Sequence, residues 1–287
     1  TWSTTRRWLK RIGLTLVALA AIGAIALYFV IRHFEADLPS TAQLRGNYRP
    51  PQTTRMLARD GSVMAELFTE RRTLVSIREL PPHVKLAVLA AEDAGFYEHE
   101  GLNYWGILRA MLINARQRRV VQGGSTITQQ VVKNVILDSE RSYRRKIREA
   151  LLARRLEQDL TKDEILEIYL NEIYFGHGRY GIEEASRDLF GKSAKALSVG
   201  EAALIAGVVA GPEKFYPRHN LAGAMDRRAY VLNQMTQKGF LNEKDFDTAK
   251  EEAPRIVAPV ETNNELAPEA IQIVRKMLRE VAPERAA

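Results

Sequence analysis

Hydrophobic and polar positions follow several distinct rhythms along this chain. The longest apolar run, IGLTLVALAAIGAIALYFVI from Ile12 to Ile31, holds twenty residues without a charge. That is the length a helix needs to cross a hydrocarbon core of ~30 Å. Arg6, Arg7, Lys10 and Arg11 precede it, whereas Arg32 is offset beyond it by Glu35 and Asp37. The positive-inside rule then predicts a cytoplasmic N-terminus, with Trp8 and Tyr28 as interfacial anchors. The run is too long for a typical signal-peptide apolar region and no A-x-A-like site follows at once, so a retained anchor is preferred over a cleaved signal.

Beyond the run, residues 32–52 are polar with Pro39, Pro50 and Pro51, and read as a stalk. TTRMLARDGSVMAEL, from Thr53 to Leu67, places Asp60-Gly61 between two strand-like pieces and predicts a short β-hairpin. Every later rhythm is helical. Pro81 and Pro82 open an apolar pattern that reaches Glu92. LNYWGILRAMLINARQRR carries Trp105, Ile107, Leu108, Met111, Leu112 and Ile113 on more than one face, with a basic end at Arg116, Arg118 and Arg119. Two readings fit this stretch, a core helix or a segment (103–119) that dips into a membrane interface with a cationic rim; the neighbouring anchor favours the second. Tyr143 to Leu160 is helical. Thr161 with Glu164 forms a capping box for a helix reaching Asn171, with Glu167 and Asn171 as polar anchors. YFGHGRYG, from Tyr174 to Gly181, reads as a loop. Helices are then predicted over 182–190, after Ser198 with Glu201, over 222–238, after Asn242, and over 269–281 beyond a linker that starts at Ala253.

Composition narrows the partners. The chain has 287 residues, of which 46% are hydrophobic, enough for one large domain with appendages. It does not begin with Met, as expected of a fragment or a processed product. Cysteine is absent, which excludes disulfides and thiolate metal sites. A net charge of +7 suits an anionic partner. With everything after Arg32 outside the cytoplasm, nucleic acid is not expected to be that partner.

The candidate chemistry centres on LAAEDAGFYEHEG, Leu89 to Gly101, where an apolar helix delivers Glu92 and Asp93. Burial disfavours a charged carboxylate and makes it able to take a proton near neutral pH. The plainer alternative is an ordinary helix end with His99 on the surface. In QGGSTITQQVVKN, two glycines permit an unusual or close backbone path, Ser125 or Thr126 can cap the next helix, and Gln130 and Lys133 share a face. Alone, that is equally a capped surface helix. In RKIRE, Glu149 is three and four residues from Lys146 and Arg145, in a cationic setting that favours its ionised form, or in a pair of surface salt bridges. The contrast between Glu92 and Glu149 separates two chemistries. A glycosidase needs a protonated acid for an alkoxide leaving group, a role to which Glu149 is badly suited. Transfer from a sugar pyrophosphate needs a base for the incoming hydroxyl and positive charge for the leaving group.

EDAGFYEHEG (92–101), GGSTITQQ (123–130), RKIRE (145–149), KDEILEIYLN (162–171) and RRAYVL (227–232), in this order after one apolar helix, closely resemble the five motifs of the peptidoglycan glycosyltransferases. These are the polymerase domains of class A penicillin-binding proteins and the monofunctional transglycosylases. The resemblance covers roughly residues 82–239. It implies a mainly α, lysozyme-like fold with a helical head lobe and a small membrane-associated jaw lobe, preceded by one transmembrane helix and the hairpin. The implied substrates are lipid II and the growing glycan chain. By the same resemblance Glu92 is the catalytic base and Glu149 the second catalytic glutamate, holding the donor or a divalent cation, Mg or Mn; no organic cofactor is implied. Lys146 and Arg141 match positions that contact pyrophosphate, and Arg145 joins them as a substrate-binding residue. Ser125, Gln130 and Lys133 line the donor site, Asp93 orients the first motif on the substrate side, and His99 is structural rather than a metal ligand. The implied organisation is 1–11 cytoplasmic tail, 12–31 transmembrane helix, 32–52 stalk, 53–252 glycosyltransferase domain and 253–287 linker and helix. The implied location is the bacterial cytoplasmic membrane, single-pass, with the catalytic domain outside and other cell-wall synthesis proteins among the implied partners. SxxK and KTG motifs are missing here, yet the long tail is similar to the start of a connection toward a transpeptidase, favouring a truncated class A protein over a stand-alone enzyme. A muramidase-like hydrolase and a non-catalytic precursor-binding protein are the competing expectations.

Overall fold

The computed structural model describes residues 2–36, 38–41, 44, 48, 50, 54–61, 63–67, 71–118, 123–137, 142–259 and 268–281. The fold is mainly helical. Helix α1 (Trp2–Ala36) extends the apolar run at both ends. Among the described residues it is the one helix long and apolar enough to cross a membrane, over Arg11–Glu35. Strands β1 (Thr54–Leu57) and β2 (Val63–Leu67) pair antiparallel, Thr54 opposite Leu67, with an irregularity between Met56 and Leu57.

After β3 (Arg71–Arg72) come α2 (Pro82–Glu92), with proline at its first turn, and α3 (Tyr104–Gln117), capped by the Asn103 side chain. Helix α4 (Ile127–Val131) runs on as a π-helical turn over Val132–Ile136. Helices α5 (Tyr143–Asp159) and α6 (Lys162–Glu172) follow, and Thr161 and Glu164 form the expected capping box. The Tyr174 to Gly181 segment is not wholly irregular: Arg179–Tyr180 forms β4, parallel to β3, with Arg71 opposite Arg179. Long-range pairing of two residues leaves no periodicity for the sequence to display. Helices α7 (Ile182–Phe190), α8 (Val199–Val208), α9 (Leu221–Gln237), α10 (Glu243–Glu251) and α11 (Pro268–Val281) complete the chain.

The core gathers α2, α4, α5, α6, α7, α8 and α9. Every residue of α8 after Val199 is buried. It lies between α2 and α9, and Gly207 allows the α9 backbone close approach: a Cβ there would sit 2.9 Å from the Arg227 Cβ and 3.1 Å from its carbonyl carbon. Arg228, only 1% exposed, locks the other end. Its guanidinium donates to the carbonyls of Gly200, Ala249 and Glu252, joining α9 to α8 and α10.

The stalk is not a free spacer. Leu38, Leu44 and Tyr48 pack against the core, the Thr41 hydroxyl donates to Asp159 and the Tyr48 hydroxyl to Glu172. These contacts reach more than a hundred positions ahead, so local composition does not reveal them.

Candidate active site

Glu92 is the last residue of α2, and its helix turns away at once because Asp93 leaves the helical conformation (φ −158°). The two adjacent carboxylates therefore point to different tasks. Asp93 is buried: it accepts from the Ile127 N–H at 3.1 Å, at the N-terminus of α4, and bonds His99 Nε2 at 3.0 Å. A carboxylate at a helix N-terminus meets an unpaired donor and the positive end of the dipole. Its oxygens are thus engaged inside the protein. In this structure Asp93 and His99 brace each other at the start of α4.

The loop after Glu92 is held from several sides. Thr126, not Ser125, caps α4, exchanging bonds with Gln129, and its hydroxyl donates to the Gly101 carbonyl at 2.7 Å. Lys162, opening α6, donates to the His99 carbonyl at 2.5 Å, pairs with Glu157 at 2.8 Å and lies 4.4 Å from the Phe96 ring centroid. Gly124 serves a close approach, since a Cβ there would meet the Ile107 Cα of α3 at 3.3 Å.

Glu92 itself is half-buried, and Gln130 Nε2 donates to its Oε2 at 2.9 Å. Burial pushes its carboxyl above the ordinary value and adjacent Asp93 pushes the same way; the Gln130 bond and the Arg227 charge oppose them. Tyr169, on α6, is fully buried behind Gln130, with its hydroxyl 3.4 Å from Gln130 Oε1. Its phenol is held well above the usual range by burial and by the nearby Glu92 and Asp93 charges.

On the other side of the α4 N-terminus lies Glu149, 2% exposed and paired with Lys146. Lys146 Nζ also donates to the exposed Ser125 hydroxyl at 3.0 Å. Two polar clusters thus flank α4, Glu92 with Gln130 and Ser125 with Lys146 and Glu149. Together they hold five of the nine expected site residues, and Asp93 braces the start of α4. Lys133 is exposed on the π-helical turn. Arg145 is not the second cation of an ion pair with Glu149; its Nε is buried without a hydrogen-bond partner among the described residues. Arg141 lies outside the described residues.

Two contributors lie inside the five motifs but carry no expected site role. Tyr169 reads there as core packing. Arg227 is set by α9, where its guanidinium lies 4.6 Å from the Tyr230 ring centroid and 5.7 Å from that of Phe215. The signal was available: Ala224, Arg228, Val231 and Met235 follow helical spacing, which puts Arg228 on the core stripe and turns Arg227 to its edge.

For metal binding, the described residues hold no group of three or more His, Asp or Glu side chains. Glu149 offers one carboxylate, the donor number that suits Mg when water and substrate phosphate complete its shell.

A family model described as Transglycosylase matches residues 60–236. The chain belongs to the transglycosylase family. Among its relatives, penicillin-binding protein 1A of Rickettsia bellii (strain RML369-C) is 41% identical over 239 residues, covering 82% of this chain and 30% of that protein. Penicillin-binding protein 1A of Escherichia coli (strain K12) is 38% identical over 247 residues, covering 86% and 29%. The crystal structure of penicillin-binding protein 1A from Haemophilus influenzae aligns at 21% identity with a TM-score of 0.47, over 82% of this chain and 25% of that one. The chain therefore spans less than a third of the length of the curated relatives it matches. The transglycosylase match takes in both polar clusters.

Proposed function

We propose that this transglycosylase domain polymerises lipid II into peptidoglycan glycan strands. Glu92 removes the proton from the acceptor sugar hydroxyl. The oxygen attacks the anomeric carbon of the growing chain as the bond to the pyrophosphate oxygen breaks, and undecaprenyl pyrophosphate leaves with the electron pair. Attack opposite the leaving group inverts the anomeric centre. The placement of Glu92 carries this reading: it ends α2 half-buried, accepts from Gln130, and burial raises its carboxyl, which makes it a stronger base than an exposed carboxylate. Ser125, Gln130 and Lys133 line the donor side. Lys146, Arg145 and Arg141 meet the pyrophosphate charge, a stabilisation worth most where water is excluded.

Glu149 has two tasks in this reading. It holds Lys146 in place, and it would be the residue to hold a divalent cation, Mg or Mn, beside the pyrophosphate. Such a cation would add positive charge at the leaving group. α1 spans the cytoplasmic membrane with the N-terminus inside. The exposed face of α3, with Trp105 at 81% exposure beside Tyr104, Leu108, Met111 and Leu112, enters the outer interface as the jaw of a two-lobed domain. The head lobe holds the two glutamates above the membrane surface, where a lipid-linked donor presents its pyrophosphate.

A raised carboxyl also suits the acid of a muramidase-like hydrolase, so the test must distinguish transfer from hydrolysis. Labelled lipid II in detergent with Mg should give long glycan from the wild-type chain and none from Glu92→Gln. Product from both proteins would move the base elsewhere. Release of soluble fragments from isolated cell wall, without polymer from lipid II, would establish the hydrolase instead.

A further inference from the structure

We propose that the groove between the outer end of α1 and α5 is a binding site for the headgroup of an anionic phospholipid, with phosphatidylglycerol as the simplest ligand. The inference rests on the reading of α1 as a spanning helix, because that reading puts the groove at the outer membrane surface. The groove encloses about 520 Å³ and is lined by Phe29, Arg32, His33, Glu35 and Arg155.

Its construction follows depth. Phe29 belongs to the last turn of the apolar run, and Arg32 and His33 come one turn later, so an apolar floor is followed by a cationic rim. α5 closes the opposite wall. Arg144 and Arg155 are eleven positions apart, three helical turns, and therefore share one face of α5. The Arg144 guanidinium lies 5.9 Å from the Phe34 ring centroid, and the bond from Thr41 to Asp159 ties the chain after α1 to the end of α5.

Charge selects the ligand. Among the described residues the lining holds two arginines, Arg32 and Arg155, together with His33, against one carboxylate, Glu35, whose Oε2 is 3.6 Å from Arg32 Nη1. The Arg32 side chain remains 65% exposed in that pair, so its donors are open to a phosphate. A phosphodiester with a neutral glycerol head satisfies these cations, whereas the trimethylammonium of phosphatidylcholine would be pressed against them. The site is separate from the proposed pyrophosphate site. Lys146 and Glu149 lie about 200° and about 140° around α5 from Arg144, at roughly 100° per residue. A lipid held here bridges the anchor to the helix that carries the Lys146–Glu149 pair.

The test uses the full chain in nanodiscs of equal phosphatidylglycerol and phosphatidylcholine with matched acyl chains, counting by native mass spectrometry the lipids ejected with the protein. Phosphatidylglycerol should be enriched about tenfold, since each basic side chain near an anionic surface contributes appreciably. The double substitution R32Q and R155Q should return the ratio towards one, Lys244→Gln on exposed α10 should leave it unchanged, and Glu35→Gln should raise it several-fold. No enrichment, or enrichment indifferent to both arginines, overturns the proposal. Displacement of the lipid by millimolar inorganic phosphate would overturn a lipid site in favour of a free-anion site. Failure of the chain to enter pure phosphatidylcholine nanodiscs would instead remove the spanning reading of α1, a result separable from loss of headgroup preference.

Discussion

α8 and α3 are both rich in apolar residues, yet they use them in opposite ways. α8 buries Leu204, Ile205, Ala206 and Val208 between α2 and α9, and its small residues admit neighbouring backbones. α3 buries only Ala110 and presents Tyr104, Trp105, Leu108, Met111 and Leu112 outward, interleaved with Arg109 and Arg116. Composition alone would assign both to a core. The difference lies in size and charge: small and aliphatic residues fit between packed helices, whereas the large aromatics of α3 stand outward beside arginines on the same helix. An exposed apolar patch of this kind marks an interaction surface rather than a packing defect.

The sharpest way to break that comparison is to damage each helix separately. Leu204→Ala removes a side chain with no exposed surface from the centre of the α8 packing. It should lower stability by about 3 kcal/mol, measured as a shift in the denaturation midpoint, because the cavity cannot collapse between two helices. Gly207→Val should follow at about 2 kcal/mol, since its branched side chain must push back the Arg227 backbone. It should also reduce polymerisation by the surviving folded protein, because Arg227 is displaced from the neighbourhood of Glu92.

On α3 the same kind of change should leave folding alone. Replacing Trp105, Leu108 and Leu112 together by Ser should shift the denaturation midpoint by no more than ~0.5 kcal/mol in detergent. It should nevertheless slow polymerisation of lipid II in bilayers, while the detergent rate changes little. A large fall in stability would mean that α3 belongs to the core after all, and an unchanged bilayer rate would remove it from the interface.

Legibility in the sequence follows the same division between local and distant causes. Helix boundaries set by a cap and its partner three residues on, such as Thr161 with Glu164 and Ser198 with Glu201, could be read directly because the interaction is local. The raised carboxyl of Glu92 follows from a charge that ends an apolar helix, and the Lys146–Glu149 pair from their spacing of three, both local patterns. What was hidden depends on chain segments meeting across space. The Asp93 carboxylate finds the Ile127 N–H thirty-four residues away, Tyr169 reaches Gln130 across thirty-nine, and Tyr48 in the stalk binds Glu172 across one hundred and twenty-four. Arg145 fails in the opposite direction: its spacing permitted an ion pair with Glu149, but Lys146 holds that carboxylate. Spacing on a helix states which side chains are able to meet, not which of two wins.

The smallest effect tests where the apolar surface of α2 ends. Val88, Leu89 and Ala90 are buried without penalty, and two residues later Glu92 carries a charge into the same region. Its carboxyl is raised in the folded protein, so between the ordinary carboxylate value of 4.5 and that raised value the native state binds more protons than the unfolded chain. Stability must then fall as pH rises through this window. Glu92→Gln removes the ionisation while keeping a polar group beside Gln130. It should therefore melt higher than wild type near pH 7 and lose that advantage as the pH drops below the ordinary carboxylate range. Thermal melts of the two proteins from pH 4 to pH 8 measure the difference, and the same raised carboxyl places the acidic limb of the wild-type polymerisation profile above that range. An advantage for Glu92→Gln that persisted unchanged at low pH would assign the effect to packing of the amide instead of relief of a buried charge.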